Sequence, residues 1–450
     1  MTNATTTSEV PISARQISPE RMAWGVLLIA FAAFCILCAT VTVGVHYFLF
    51  ESTVNIQTVL AAGRGTAIIV SEADLIEQAV RARREILVGT SVSTDGQSQA
   101  VILFADQQQD QRLIATATLG SSSGVTLIGI ERPRFDWSIG QYSIDLTNFT
   151  GMLDVYVAPQ LGRDFRMTVR TTDGTQIYLT ASGRYTIRAN ATQVQVFNRE
   201  GAATLIAASQ PQDGRAIPSG QRGVAHVNST DIVLAGGYVE LLSNPTFREI
   251  RAPESVPAVW ECSSEADALP IGTMAVETVD ERPLLHFLRA ENASSHGEMR
   301  CRQYFDPANT GQDVRGYDEL VLRATFQVNY QSLSACGVQG SECPLMLQID
   351  YVDVNGNARV WYHGFYAAID PTQGYPLRCN SCSLEHDPVT MGVWYTYSSD
   401  NLFTAFPPEA RPAAVLNVQF YTSGHQYDVL IDEIALLASN TPPAPQVANG

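Results

Sequence analysis

The chain has 450 residues, of which 45% are hydrophobic and only 16% are charged, and its formal net charge is -17. All 28 basic residues are arginine, because the sequence contains no lysine. This acidic balance argues against nucleic acid or anionic lipid as the main partner. The length suggests two or three domains.

The most apolar stretch of the chain lies close to its start. Residues 1–21 are polar and lack apolar periodicity, which predicts a disordered cytoplasmic N-terminus. From Met22 to Phe50 the chain is almost continuously apolar, with no Asp, Glu or Arg. About 20 apolar residues cross the hydrocarbon core of a bilayer as a helix, and aromatic residues such as Trp24 favour its interfaces. We therefore predict a transmembrane helix over residues 22–50.

The same run has an alternative interpretation as a cleaved signal peptide. Signal peptides have an apolar core of only about 7–15 residues and a small-residue cleavage site, and neither fits this run. Two arginines, Arg15 and Arg21, precede it, and the next arginine is Arg64. Because positive charge is retained in the cytoplasm, the N-terminus is expected inside and the rest of the chain outside the cell membrane.

Residues 51–236 are predicted to form an all-β domain. Short runs of alternating apolar residues are rich in Thr, Val and Ile, and turn residues interrupt them about every 8–12 residues. Asp173-Gly174, between two such runs, predicts a hairpin. Glu72 to Ile86 departs from the pattern, since its apolar positions suit a helix as well as a loop with one strand, and we predict a short helix there.

Three segments carry a resemblance to a known family. They are EILVGTSVSTDGQSQAVILFAD at 85–106, GRYTIRANATQVQVFNREGAATL at 183–205 and IPSGQRGVAHV at 217–227. Together they resemble the FecR domain over about residues 63–230. The resemblance implies an extracytoplasmic β module. FecR regulators also carry a cytoplasmic segment that handles a sigma factor, whereas only about 21 residues are expected inside here. A signal-sensing role of FecR type therefore stands as an alternative.

Residues 237–438 are predicted to form a second all-β domain. They open with an Asn-Pro-x-Phe segment and Trp260, continue through a Gly-x-Trp-x-x-Tyr strand, and close with Asp-Val-Leu-Ile-Asp-Glu-Ile. This order resembles jelly rolls of the galactose-binding-like and carbohydrate-binding-module kind, which implies a β-sandwich. Residues 439–450 are rich in Pro and Ala and predict a disordered tail.

Six of the eight cysteines lie in the second domain, on the side predicted to be oxidising, which favours disulfides. Fifteen pairings are open, and the short separations favour Cys336–Cys343 and Cys379–Cys382, which leaves Cys262–Cys301. The alternative is a zinc site formed by the four cysteines from Cys336 to Cys382.

Two acidic motifs are candidate metal sites. Asp353 to Asn357 lacks the glycine and glutamate positions of a calcium-binding loop, so Asn355-Gly356 predicts a type I′ hairpin turn. Asp432 occupies the final strand, where the jelly rolls that this domain resembles often hold a structural calcium. We therefore predict Asp432 as a calcium ligand, the alternative being a strand residue paired with an arginine.

An aromatic concentration surrounds residues 361–397. Sugars stack on exposed aromatic faces, and Tyr362, Tyr395 and Tyr397 are predicted to bind a ligand. Trp361 and Trp394 are expected in the core. The sequence contains no G-x-S-x-G, H-E-x-x-H or P-loop motif, so we expect no enzyme.

The sequence as a whole favours a single-pass membrane protein of a bacterial cell envelope that binds or scaffolds outside the cytoplasm. A polysaccharide or an envelope protein is the expected partner. The further alternative is a structural or assembly protein of the cell surface.

Overall fold

The computed structural model describes residues 19–441, apart from residues 110, 228, 291 and 307–309. The predicted disordered segments 1–21 and 439–450 therefore lie largely outside the described residues. The chain divides into two units. One contains the chain up to Val54 together with Pro133–Gly140, and the other contains Asn55–Arg132 and Gln141–Gly450.

The first unit contains the long N-terminal helix α1, Pro19–His46, which a π-helical turn extends through Tyr47–Glu51. No residue of α1 is buried. Its apolar side chains surround the helix on all sides, which suits a lipid environment and does not suit contact with water. By length and composition this helix is able to cross a membrane, and it is the one such helix in the described part of the chain. The predicted helix over residues 22–50 is therefore confirmed.

Eighteen strands follow in the described residues between 53 and 236. Their bounds are β1 Thr53–Asn55, β2 Gln57–Arg64, β3 Ala67–Ser71, β4 Glu77–Val80, β5 Arg84–Glu85, β6 Thr90–Thr94, β7 Gln99–Asp106, β8 Arg112–Leu119, β9 Gly124–Pro133, β10 Tyr142–Val157, β11 Phe165–Thr171, β12 Gln176–Leu179, β13 Gly183–Ala189, β14 Gln193–Glu200, β15 Ala203–Ile206, β16 Gly214–Ile217, β17 Gln221–His226 and β18 Ile232–Gly236.

These strands form a closed barrel in which β10 belongs to two sheets. Its first half pairs with β9 and, in parallel, with β11, and its second half pairs with β8 and β13. The change occurs where the register shifts between Leu146 and Phe149, and Gly151 there has a φ of +88°. A bulge of this kind bends a strand, and a residue without Cβ tolerates the left-handed backbone. The bend lets one strand serve both sheets.

Alternate apolar residues of these strands fill the barrel core. Leu60, Ile102, Leu153, Val155 and Ile187 are at most 2% exposed, as the period-2 pattern predicts. The hairpin at Asp173-Gly174 is confirmed, since β11 pairs antiparallel with β12 across it.

The short helix predicted over Glu72 to Ile86 is wrong. This segment instead forms a turn followed by β4 and β5, which pair with β3 and β2. Leu75 and Ile76 are exposed, so the apolar face that the helix prediction required is not buried. Pairing with existing strands overrides a weak local helical pattern.

Fifteen further strands and one short helix lie in the part of residues 239–439 that the structure describes. They are β19 Val239–Glu240, β20 Ile250–Arg251, β21 Val256–Pro257, β22 Glu261–Ala266, β23 Thr273–Val279, β24 Arg282–Arg289, β25 Gly297–Tyr304, β26 Gln312–Asp313, β27 Glu319–Gln331, β28 Leu345–Asp353, β29 Ala358–Tyr366, β30 Asp387–Pro388, β31 Tyr395–Ser398, α2 Leu402–Ala405, a 3-10 turn Pro408–Ala410, β32 Pro412–Gly424 and β33 Tyr427–Ser439.

These strands build two main sheets. The smaller sheet has the order β23-β24-β33-β27-β31, with β19 paired to β33. The larger sheet has the order β22-β25-β32-β28-β29-β30, with β26 paired to β32. Both sheets supply a single apolar cluster that includes Trp260, Phe287, Phe326, Leu347 and Phe420. The chain is thus mainly β, with one N-terminal apolar helix followed by β-sandwich-like sheets, as the sequence predicts.

The predicted turn at Asn355-Gly356 is correct in place and wrong in type. β28 and β29 form an antiparallel hairpin around it. A type I′ turn needs positive φ at both central residues, but in this loop only Gly356 has positive φ, at +83°. Asp353 accounts for the difference, because its carboxylate accepts hydrogen bonds from the backbone N–H groups of Asn355 and Asn357 and so shapes a longer loop.

Candidate functional site

The outer face of the larger sheet carries a continuous set of polar side chains, which we call the polar face. Along β28, Leu347 and Ile349 point into the core while Gln348 and Asp350 point outward, as strand alternation requires. Neighbouring strands follow the same rule. The polar face consists of Arg302 and Tyr304 on β25, Asn417 and Gln419 on β32, Gln348 and Asp350 on β28, and Tyr362 on β29.

Strand register places four of these side chains in one row. Arg302 is opposite Gln419, Gln419 is opposite Gln348, and Gln348 is opposite Tyr362. With strands about 4.8 Å apart, the row is about 15 Å long. A second row alongside contains Tyr304, Asn417 and Asp350. The polar face thus offers an aromatic ring at the end of a row of hydrogen-bonding groups.

Hydrogen bonds along the polar face hold these side chains in place. Arg302 Nε donates to Gln419 Oε1 at 2.7 Å, Gln419 Nε2 donates to Gln348 Oε1 at 3.1 Å, and Gln348 Nε2 donates to Asp350 Oδ1 at 2.7 Å. Asn417 Nδ2 donates to the other carboxylate oxygen of Asp350 at 3.0 Å. A side chain that is already ordered loses little conformational entropy when it binds a ligand.

One acceptor on this face lacks a partner in the described part of the chain. Asn417 is 3% exposed, and its Oδ1 atom has no hydrogen bond there. A buried polar atom without a partner is costly, unless a ligand or an ordered water satisfies it. This acceptor lies enclosed beneath the polar face, on the side chain that donates to Asp350.

Two disulfides border the polar face. Cys336–Cys343 and Cys379–Cys382 cluster with Met346, Tyr366 and Tyr421 on the outer side of the larger sheet. Tyr362 packs against this cluster and is half-buried. Burial, with the charge of Asp350 nearby, raises the pKa of Tyr362. The phenol therefore stays protonated near neutral pH and is available as a hydrogen-bond donor.

The three tyrosines predicted to bind ligand do not come together. Tyr362 lies on the polar face, whereas Tyr395 and Tyr397 lie on β31 and join the sandwich core, at 4% and 8% exposure. Both also line a cleft of about 500 Å³ between the barrel and the sandwich. As expected, Trp361 is buried in the sandwich core.

The cleft contains a buried histidine beside an ion pair. Arg64 of the barrel lies 2.8 Å from Asp387, and His363 Nε2 lies 3.4 Å from the same carboxylate. The His363 ring stacks on Tyr397 at 4.9 Å. Neither of its nitrogens makes an aligned hydrogen bond within the described residues. Sequence reasoning missed this group because its members come from two domains.

All six distal cysteines form disulfides in the structure: Cys262–Cys301, Cys336–Cys343 and Cys379–Cys382. These are the pairings that the spacing favoured. His386 lies within reach of Cys336 and Cys343, a grouping that resembles a metal site. However, His386 Nδ1 accepts from the Gly364 N–H, and its Nε2 lies 2.7 Å from the Gly340 carbonyl. With its nitrogens engaged and the thiols oxidised, this cluster holds loops together and does not suit zinc.

Asp432, the predicted calcium ligand, contacts an arginine. Its two carboxylate oxygens accept from Nη1 and Nη2 of Arg184 at 3.0 and 3.2 Å, across the boundary between barrel and sandwich. This geometry matches the alternative of a strand residue paired with an arginine. Calcium binding at Asp432 stays a prediction, and it requires displacement of Arg184.

Glu433, the next residue, is fully buried among arginines. Arg199 lies 2.6 Å from its carboxylate, Arg323 lies 3.1 Å away and Arg184 lies 3.8 Å away. Burial alone raises the pKa of this carboxyl, but the three guanidinium groups outweigh it and lower the pKa strongly. We call these five residues, Arg184, Arg199, Arg323, Asp432 and Glu433, the junction cluster.

Glu240 lies beside the junction cluster, and its pKa is shifted in the direction opposite to that of Glu433. Burial, only partly offset by Arg199 at 3.6 Å, raises its pKa to about 7. Its Oε1 accepts from the N–H groups of Leu242 and Leu436, while its Oε2 makes no hydrogen bond in the described residues.

We expect Glu240→Gln to remove part of the pH dependence of stability. A carboxyl whose folded pKa is raised adds stability below its unfolded pKa of 4.5, and this stability is lost as pH rises through about 7. The melting temperature of the wild type should therefore fall relative to the variant between about pH 5 and about pH 8. Asp428 raises the pKa of His286. Because both proteins contain this pair, its contribution to the pH dependence cancels in the comparison. If the melting temperatures of the two proteins change with pH in parallel, Glu240 is ionised over this whole pH range and the prediction is wrong.

The fold and site together define an all-β protein with an apolar N-terminal helix, a barrel and a β-sandwich with a polar outer face. No family model and no curated protein matches the chain.

Several solved structures are similar to parts of it. A putative anti-sigma factor from Parabacteroides distasonis is 12% identical, and the match covers 33% of this chain and 59% of that chain with a TM-score of 0.23. The chain thus spans about three fifths of that protein.

Carbohydrate-binding modules are also among the similar structures. The family 11 module of a Clostridium thermocellum cellulosomal cellulase is 10% identical, with 47% and 99% of the two chains covered and a TM-score of 0.26. The CBM22-1 xylan-binding domain of Paenibacillus barcinonensis Xyn10C is 11% identical, with 46% and 99% covered and a TM-score of 0.26. Similarity at this level carries no argument about function, so the function must be argued from the residues.

Proposed function

We propose that this chain is a membrane-anchored extracytoplasmic binding protein that holds a polysaccharide on its polar face. The observation that carries the proposal is the row in which Arg302, Gln419 and Gln348 are joined by hydrogen bonds, with Tyr362 at its end opposite Gln348. Sugar rings present hydroxyl groups around their edges and C–H groups on their faces. Amide, carboxylate and guanidinium groups match the hydroxyls, and an aromatic ring matches the C–H face.

Three features of this face support a sugar over an apolar ligand. The row contains donors and acceptors in alternation, so it serves hydroxyl groups, which are both. The second row adds the half-buried carboxylate of Asp350, which Asn417 holds in place. The row is about 15 Å long, which suits an extended chain more than a small molecule. Its central side chains, Gln348 and Gln419, are at most 8% exposed, whereas Arg302 and Tyr362 at its two ends are half-buried. No catalytic role is included in the proposal.

The proposed location follows from the helix and the disulfides. α1 has the length and composition of a membrane span. The sandwich holds three disulfides, which persist in oxidising compartments outside the cytoplasm. Arg15 and Arg21 before the helix favour a cytoplasmic N-terminus. We therefore place the barrel and sandwich on the outer side of a bacterial cell membrane.

The test is glycan binding by the full chain in lipid nanodiscs, with peptidoglycan, xylan and mixed-linkage β-glucan as probes. We expect at least one probe to bind and Tyr362→Ala to weaken that binding about tenfold, which corresponds to about 1.4 kcal/mol. Loss of the stacking surface is the physical reason.

The matched control is Tyr330→Ala. Tyr330 is an exposed tyrosine on β27 of the other sheet, so its removal should leave the affinity unchanged. Failure of all three probes to bind, or equal affinity of wild type and Tyr362→Ala, would contradict the proposal.

A further inference from the structure

The segment Pro133–Gly140 exposes large apolar side chains beside the end of α1. Trp137 is 62% exposed and Ile139 is 97% exposed. Both belong to the same structural unit as the helix. Polysaccharide binding on the polar face gives these two side chains no role.

Aromatic contacts join this segment to the end of the apolar run. Phe135 stacks on Trp137 with ring centroids 4.6 Å apart, and it meets the Phe48 ring edge-on at 5.6 Å. The Arg134 guanidinium lies over the same Phe48 ring at 5.3 Å. The exposed tryptophan is therefore part of an aromatic stack that begins on the helix extension.

Hydrogen bonds fix the segment at the same level. The Arg134 backbone N–H donates to the Ser52 carbonyl at 2.9 Å, and Arg134 Nε donates to Ser52 Oγ at 3.2 Å. Ser138 Oγ donates to the Phe50 carbonyl. The segment is thus held at residues 48–52, where the apolar run ends.

The length of the apolar run determines how deep residues 48–52 lie in a bilayer. At 1.5 Å per residue, Met22 to Phe50 is about 43 Å long, compared with about 30 Å for the hydrocarbon core and about 40–45 Å including the headgroups. A helix that spans the core therefore places Phe48 and Ser52 in the headgroup region. Tryptophan is enriched at this level because its ring is apolar and its N–H is polar.

We propose that Pro133–Gly140 is a second membrane contact, which inserts Trp137 and Ile139 into the boundary between lipid headgroups and acyl chains. The proposal rests on α1 being the membrane anchor. The second contact holds this segment and the end of the helix together at the bilayer surface.

The experiment measures the depth of Trp137 in the full chain, reconstituted in nanodiscs with lipids brominated near the headgroup or deep in the acyl chain. The background variant is Trp24→Phe, which removes the tryptophan of the helix itself. The signal of Trp137 is the difference between this background and Trp24→Phe/Trp137→Phe. We expect that difference signal to be at least halved by shallow bromines and quenched less by deep ones.

Trp394→Phe in the same background is the matched control, since Trp394 lies in the β-sandwich and its removal should not change lipid quenching. Carbonate extraction of the membranes is run in parallel. If the protein stays in the membrane pellet and the Trp137 signal is insensitive to brominated lipid, the second contact is refuted while the anchor stands. If carbonate releases the protein, both the anchor and the contact are refuted.

Discussion

Glu433→Ala is expected to lower the free energy of unfolding by about 3–5 kcal/mol. The substitution removes the carboxylate that lies 2.6 Å from Arg199 and that also faces Arg184 and Arg323. Arg184 keeps Asp432 and Arg323 keeps Asp154, so Arg199 loses the most. Removing one partner of a buried ion pair costs far more than the pair contributes, because an uncompensated charge remains inside. Denaturant unfolding of the full chain in nanodiscs measures the loss.

The position of Glu433 sharpens this experiment. The junction cluster links strands of the barrel to β33 of the sandwich, so the variant should also make the two domains unfold separately. Glu409→Ala, at an exposed glutamate, is the control and should change stability by less than about 0.5 kcal/mol. A double-mutant cycle with Arg199→Ala should show strong coupling. A loss as small as that of the control would mean that the arginines are hydrated in solution and that the cluster does not hold the domains together.

Replacing Cys262 and Cys301 together by alanine is expected to lower the free energy of unfolding by about 4 kcal/mol. The reason is that this disulfide joins two residues with a sequence separation of 39. The two cysteines are directly opposite each other on β22 and β25, so the bond also ties an edge strand to the larger sheet. Changing both residues avoids a free thiol. Thermal and denaturant unfolding under non-reducing conditions measure the effect.

The third disulfide offers an internal comparison. Cys379–Cys382 closes a separation of only 3 residues, and the same chain-entropy argument gives about 2 kcal/mol for its removal. We therefore expect the Cys262/Cys301 double variant to be the less stable of the two. The reverse order would indicate that the short disulfide acts mainly by holding the loop beside Tyr362, in which case its loss should also weaken glycan binding.

Features that depend only on residues close together in the sequence are predictable from it. The helix of residues 22–50 follows from continuous apolar composition, and the hairpin at Asp173-Gly174 follows from one turn between two alternating runs. The alternation in β28 and β32, with Gln348, Asp350, Asn417 and Gln419 at every second position, was also a usable signal for an outer face. The ligand prediction rests on aromatic residues and does not use this alternation.

The helix prediction failed where distant pairing decides the outcome. Residues 72–86 have an ambiguous local pattern, and contacts with β2 and β3 settled it. Ligand binding by Tyr395 and Tyr397 stays a prediction, since the register of β31 places both in the sandwich core while both also line the cleft. Period-2 alternation alone does not say which face of a strand is buried.

The sequence by itself determined an all-β chain behind an apolar helix, because composition and alternation act over a few residues. Only the tertiary structure decided which polar groups meet. Arg302 and Gln419 are 117 residues apart, and Arg184 and Asp432 are 248 residues apart. Such contacts depend on strand order and register, which are set by burial of the whole core and leave no local trace. The polar face and the junction cluster are both built from such long-range contacts.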